Sequence, residues 1–236
     1  MTETYTYDAL NRLDDVTRGG INLQNWTLDA LGNWSTFTDT TQGLCQTRTS
    51  NNLNEITAIT TNTGTAWVTP TYGVNGNQIS GPVPGSENTR QFYVYDAWNR
   101  LLAVKAASTS DPTVAGATIA TYKYDGRGFR TQKALWTNGA ITETLDYYQN
   151  VQNQLLEVCQ SGTTVQVDQY VWSARYIDAP VLVYSNVNQS GVTAQTIYFV
   201  QDANFNVTAL VDGATGSVLA HKVYSPYGAQ TLLTGT

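Results

Sequence analysis

Along the first 130 residues, apolar side chains recur two positions apart: Tyr5 with Tyr7, Trp26 with Leu28, Tyr93 with Tyr95, and Tyr122 with Tyr124. That spacing puts both members of a pair on one face of an extended strand. A short polar theme follows or replaces each pair: YDALNRL (Tyr7 to Leu13), LDALGNW (Leu28 to Trp34), NNLNEI (Asn51 to Ile56), YGVNGNQI (Tyr72 to Ile79), YDAWNRL (Tyr95 to Leu101) and YDGRGFR (Tyr124 to Arg130). Aligned on Asp8, Asp29, Asn51, Gly73, Asp96 and Asp125, the copies are separated by 21, 22, 22, 23 and 29 residues. A period near 21 residues accommodates two strands of roughly six to eight residues and two connections. Each period therefore reads as one β-hairpin.

The letters of the theme suit a chain reversal. Tyr7, Tyr95 and Tyr124 close a strand, and the Asp that follows can accept hydrogen bonds from amides just downstream. The next Asn or Gly (Asn11, Gly32 with Asn33, Asn54, Asn99, Gly128) tolerates positive φ, and Arg12 and Arg100 follow two of the turns. A lone hairpin is marginal in water, so neighbours are expected to pair edge to edge and share a core. The fold class predicted is all-β, tandem antiparallel hairpin repeats in a coiled sheet or part of a shell.

Beyond residue 130 the period fades but hairpin signals continue at Asn138-Gly139, Ser161-Gly162 and Asp212-Gly213. In VWSARYIDAPVLVY, Trp172 and Tyr176 read as sharing a face, with Pro180 breaking any helix. Gly81 to Thr89 and Thr109 to Thr118 read as longer loops between strands. Because the theme resumes after each, residues 1–236 are expected to form one array, regular over 1–130 and looser over 131–236.

Composition supports strands and narrows function. Thr, Val and Tyr favour pleated surfaces while Asn and Gly favour turns. The net charge is −6, with no Lys/Arg cluster able to track a phosphate backbone, so nucleic acid is not an expected partner. No apolar run reaches the roughly 18 to 20 residues of a membrane-spanning helix, and MTETYTYDALNRL lacks the layout of a secretion signal. Cys45 and Cys159 lie 114 positions apart, outside any metal-ligand spacing, and are expected to be unpaired thiols.

Candidate chemistry is sparse. His221 is the single histidine; Asp212 and Ser225 flank it, but neither order nor spacing supports a catalytic triad. Asp202, Asn204 and Asn206 imitate the opening of a calcium loop, yet Val207 and Gly213 stand where the required Gly and acid would be. No cofactor, metal or catalytic residue is assigned. Fifteen Tyr and six Trp are a stronger lead. The paired Tyr read as core, whereas Trp67, Trp98 and Trp136 fall outside the pairs and would suit a glycan or a docked protein if exposed.

Taken in order, YDALNRL, YDAWNRL and the later YYQNVQNQLLEV, QYVWSARYIDAPVLVY, YFVQDANFNVTALVD and HKVYSPYGAQ resemble the RHS/YD-repeat family, which includes toxin-complex cocoon subunits and teneurins. The resemblance implies a β-ribbon wound into a hollow shell around a polypeptide cargo such as a C-terminal toxin. It also implies a secreted or cell-surface parent system, and self-association or flanking shell sequence at the open strand edges. Residues 131–236 look like the later part of an RHS core, and the chain like a fragment or short relative, without the family's self-cleaving segment or cargo. The expected role is scaffold rather than enzyme, with a surface-adhesion or carbohydrate-binding module as the alternative.

Overall fold

A computed structural model describes residues 3–163, 165–185 and 194–235, and among these it contains strands and turns but no α-helix. Among the described residues strand order follows chain order: the first six strands, up to residue 63, form one antiparallel sheet and the fourteen from residue 71 onward a second, and neither closes into a barrel. The chain divides into two compact units, 1–120 and 121–236.

The first unit begins with β1 (Glu3–Tyr7), β2 (Leu13–Arg18), β3 (Ile21–Leu28), β4 (Trp34–Asp39), β5 (Leu44–Ser50) and β6 (Ile56–Thr63). Alternation along β2 to β5 turns Val16, Trp26, Phe37 and Leu44 to one face, where they form a buried cluster with Leu13, Leu23, Leu28, Trp34 and Trp67 packed against it. Trp26, 2% exposed, lies directly across the ladder from Phe37 with ring centroids 5.9 Å apart, and Trp34 leans on both. Two polar residues share this face. Gln46 is wholly buried, and its Oε1 accepts from the Arg48 guanidinium, which lies 4.8 Å from the Trp34 ring centroid and 5.5 Å from that of Trp67. Burial lowers the Arg48 guanidinium to about 10; aromatic faces take the place of a carboxylate partner.

The unit continues with β7 (Thr71–Tyr72), β8 (Gln78–Val83), β9 (Ser86–Tyr95), β10 (Leu101–Ala107) and the start of β11 (Ala115–Tyr124). The expected loop at Gly81 to Thr89 is instead a hairpin: β8 and β9 flank a two-residue connection, Pro84-Gly85. Pro fixes its first position and Gly85 takes φ +77° at the second, the pattern of a type II turn. Proline and glycine there mark a tight turn, not an insertion. The stretch from Thr109 is a loop only to Val114, after which β11 begins.

The second unit holds the rest of β11 and then β12 (Arg130–Thr137), β13 (Ala140–Gln149), β14 (Leu155–Gln160), β15 (Gln166–Trp172), β16 (Pro180–Ser185), β17 (Gln195–Gln201), β18 (Val207–Asp212), β19 (Val218–Tyr224) and β20 (Gln230–Gly235). Asn138 and Gly139, both at positive φ, join β12 to β13 as a two-residue hairpin turn of type I′ character. Between β18 and β19 the positive φ falls on Gly216, while Gly213 packs beside Thr196 and Tyr198. Trp172 and Tyr176 do not share a strand face: β15 ends at Trp172, and Tyr176 sits in the following turn with its ring stacked on Phe205 at 4.4 Å.

Truncating the central ring of the first core should cost about 3–5 kcal/mol, the usual range for Phe→Ala in a packed interior. Denaturant melts of Phe37→Ala are expected to show that loss. A change below about 1 kcal/mol would mean that the cluster is not the core of the unit.

Candidate functional site: the repeat turns

One turn recurs along both units. At Asp8 the backbone amide donates to the Arg12 carbonyl and the Asn11 amide donates back to the Asp8 carbonyl, closing a three-residue hairpin loop with Asn11 at φ +58°. Asp8 Oδ1 accepts the amides of Leu10 and Arg12 at 2.8 and 2.9 Å. Oδ2 accepts the Arg12 guanidinium at 2.7 Å. Asp29 repeats this with Leu31 and Asn33, Asp96 with Trp98 and Arg100, and Asp125 with Arg127 and Phe129. Asn51 uses its amide oxygen for Leu53 and Glu55 while its Nδ2 donates to Glu55, and Gly73 closes the turn with backbone alone.

The turn does not stop where the sequence period fades. Asn150 takes the amides of Gln152 and Gln154, and Asp202 those of Asn204 and Asn206, with Asn153 and Phe205 at positive φ. Both oxygens of Asp202 are engaged in this way, so the stretch that imitates a calcium loop is another repeat turn. Ser225 closes the same three-residue loop with Gly228 at φ +84°, and Ser173 a loop longer by two residues.

Among the residues singled out by sequence, Asp8, Asn11, Arg12, Asp29, Gly32, Asn33, Asn51, Asn54, Asp96, Asn99, Arg100, Asp125 and Gly128 all lie in these turns. Adjacent turns are also tied together: Arg12 donates to the Asp29 carbonyl, Asn33 to Asn54 Oδ1, and Asn77 to Asn99 Oδ1. The residue before the turn carries a bond that sequence reading missed. Tyr95 OH donates to the Gln78 carbonyl at 3.0 Å, Trp172 Nε1 to Leu155 at 2.7 Å, and Tyr224 OH to Val207 at 2.7 Å; in each case the acceptor lies 17 residues back. Gln149 and Gln201 donate to the Arg130 and Asp178 carbonyls, 19 and 23 residues back. In every case the acceptor opens or precedes the outgoing strand of the previous repeat. Tyr, Trp and Gln share no hydropathy class, but each carries a long-reach donor. Tyr7, in outermost strand β1, is 59% exposed, and Tyr124 closes β11.

The turn carboxyl groups are held below their ordinary value of 3.8. The cause at Asp8 is the Arg12 side chain, at Asp29 the Asn33 side chain, at Asp125 the Phe129 amide and at Asp202 the Asn206 side chain. At Asp96 partial desolvation pushes upward and is outweighed by the Arg100 amide and guanidinium.

Other candidates separate. His221 lies in β19; Asp212 ends β18 and Ser225 follows β19, so seven strand residues at about 3.3 Å each stand between their connections. Cys45 and Cys159 are free thiols, and desolvation pushes Cys159 up to about 11. Trp67 is packed against the core, Trp136 donates to Thr121, and Trp98 sits 76% exposed at a turn tip beneath Arg100.

No protein-family model matches the chain, and no curated protein does. Among solved structures it is similar to a chain of the Photorhabdus luminescens Tc holotoxin pore, at 12% identity over 96% of this chain and 15% of that one, with a TM-score of 0.36. A TcdB2–TccC3–TEV structure aligns at 12% identity over 98% of this chain and 17% of its own, TM-score 0.38. TcdB2–TccC3 without its hypervariable C-terminal region gives 14%, 98%, 17% and 0.29. The chain thus spans about one-sixth of the solved chains it matches.

Two outcomes test the turn chemistry. Tyr95→Phe removes one hydrogen bond and should cost roughly 0.5–1.5 kcal/mol in denaturant melts; no change would mean that the hydroxyl contributes nothing between repeats. For pH the sign follows from the lowered carboxyls: their stabilisation is present above 3.8 and is lost as pH falls through the folded values below it. Hydrogen-exchange protection of the Leu10, Leu31, Trp98, Arg127 and Asn204 amides should therefore fall in that acid range. The Leu53 and Gln152 amides, bonded to Asn51 and Asn150, should keep theirs.

Proposed function

We propose that the chain is a scaffold element, a length of hairpin-repeat wall of the RHS type that encloses or presents a polypeptide cargo in a secreted or cell-surface system, and that it does no catalysis of its own. The observation that carries this reading is the recurrence of one braced turn from Asp8 to Ser225, in which the polar side chains that drew attention in the sequence serve backbone amides or neighbouring turns. Carboxylates engaged with their own turns are poorly placed to act as acids or bases on a substrate. A wall needs the opposite property, rigid connections repeated at short intervals.

The reading also specifies how the wall is extended. β1 and β20 are outer strands, β20 is exposed at every residue, and each presents a row of backbone donors and acceptors. Their partner is further shell sequence or, in its absence, a second copy.

Light scattering on the folded chain is therefore expected to give a mass above 25.8 kDa that rises with concentration. Leu232→Lys on β20 should lower it by placing a charge on the pairing edge. A folded chain that stays monomeric at every concentration would overturn the wall reading.

A further inference from the structure

In the first unit the tips of the repeat turns are apolar. Leu10, Leu31, Leu53 and Trp98 each stand two residues after the acceptor that organises their turn, and Val74 one residue after Gly73. Their exposures run from 65% at Leu10 to 106% at Val74, whereas Val94 and Leu102, beside the turn on the sheet, reach 40% and 37%. The same turn position in the second unit holds Arg127, Gln152 and Asn204. Single exposed apolar residues are ordinary, but a row of five at repeat spacing is not.

The tips form one ridge because neighbouring turns touch. Arg12 donates to the Asp29 carbonyl, Asn33 to Asn54 Oδ1 and Asn77 to Asn99 Oδ1. A Cβ on Gly76 would stand 3.9 Å from Glu55 Oε1, so the Asn51 and Gly73 turns are also neighbours although β6 and β7 do not pair. Each step along the ridge crosses one hairpin, two strand spacings or about 9.5–10 Å. Seven residues of an α-helix rise about 10.5 Å.

Three properties choose the occupant. An extended peptide needs a free row of backbone groups, and the loops spend theirs internally: at Asp8 the amides of Asp8, Leu10, Asn11 and Arg12 are all bonded within the turn. A helix closes its own backbone bonds. Immersion in lipid would carry the carboxylates of Asp8, Asp29 and Asp96, two residues from the tips, toward hydrocarbon. Charge supplies the third property, since those three acids and Glu55 stand along the ridge against two cations, Arg12 and Arg100, each already paired inside its turn.

We infer that the ridge docks an amphipathic α-helix of a partner protein, with an apolar stripe at seven-residue spacing and Lys or Arg along its flanks. This goes beyond the wall reading and does not depend on it, because it uses loop side chains and leaves the strand edges free.

The test is fluorescence anisotropy with the folded full chain and a labelled synthetic helix of about four heptads, roughly 28 residues, bearing leucine at every seventh position and lysine beside it. Two control peptides replace lysine by glutamate or redistribute the leucines around the helix; both should bind at least tenfold more weakly. Leu31→Ser and Leu53→Ser should each weaken binding about tenfold, the order expected for withdrawing one leucine from an apolar contact. Their turns should stay folded, because Asp29 and Asn51 take the backbone amides of these residues and not their side chains. Gln152→Ser, at the same turn position in the second unit, should change nothing. No binding of the striped basic helix, equal affinity for the redistributed peptide, or binding unchanged in both leucine variants would each overturn the assignment. So would sedimentation with phosphatidylcholine vesicles that is lost in the same variants, which would make the ridge a lipid-binding surface.

Discussion

At Asp8, Asp29, Asn51, Asp96, Asp125, Asn150 and Asp202 the connection between paired strands depends on one side-chain oxygen that takes two backbone amides. Asp8 Oδ1, between the amides of Leu10 and Arg12, shows the consequence. A three-residue loop leaves donors that no strand can satisfy, and an unpaired backbone amide is costly to shield from water. Satisfying them from the first turn residue commits the fourth to positive φ. In the first unit the geometry then propagates: one extra residue is inserted early in each outgoing strand, at Asp14, Ser35, Thr57, Ile79 and Leu102. Such bulges increase local twist. A repeat that places one at the same position each time twists its sheet by regular increments.

This dependence explains what could be read from the sequence. Up to Asp125 the first turn residue is Asp or Asn in five of six copies, so the letters follow the role. Afterwards Asn150, Ser173, Asp202 and Ser225 fill it, and the fourth residue includes Phe205 as well as Asn153 and Gly228. The acceptor survives while its letter changes, and for that reason the period fades in sequence and persists in space. Phe205 is the costliest of these choices, since a bulky side chain at positive φ is disfavoured. Its stacking on Tyr176 from the neighbouring turn offsets part of that strain. Two other features were hidden for related reasons. Pro84-Gly85 has the composition of a loop but the geometry of a turn, and Arg48 is an inward-facing cation that no hydropathy pattern places in a core.

The bonds between repeats show the same logic. A donor must reach across one strand to a carbonyl of the previous hairpin, and Tyr, Trp and Gln all do so. Tyr95 of one YD pair thus contributes its hydroxyl as well as its ring. The first unit relies more on the far side of the turn, where Arg12, Asn33 and Asn77 touch the next turn directly. Both devices couple each hairpin to its neighbour, and that coupling is what allows marginal two-stranded units to stand as a sheet.

Perturbed carboxyls commonly mark sites of chemistry, and by that criterion the turns would be the active region. The causes argue otherwise. Each turn carboxyl is lowered chiefly by the amides and side chains that it organises in its own turn, so the perturbation measures structural work already committed. A group that must be free to meet a ligand has to stand where the repeat no longer claims it. In the first unit the repeat is interrupted where β6 and β7 fail to pair. The regular array supplies rigidity, and the irregularity in it supplies side chains not consumed in building it.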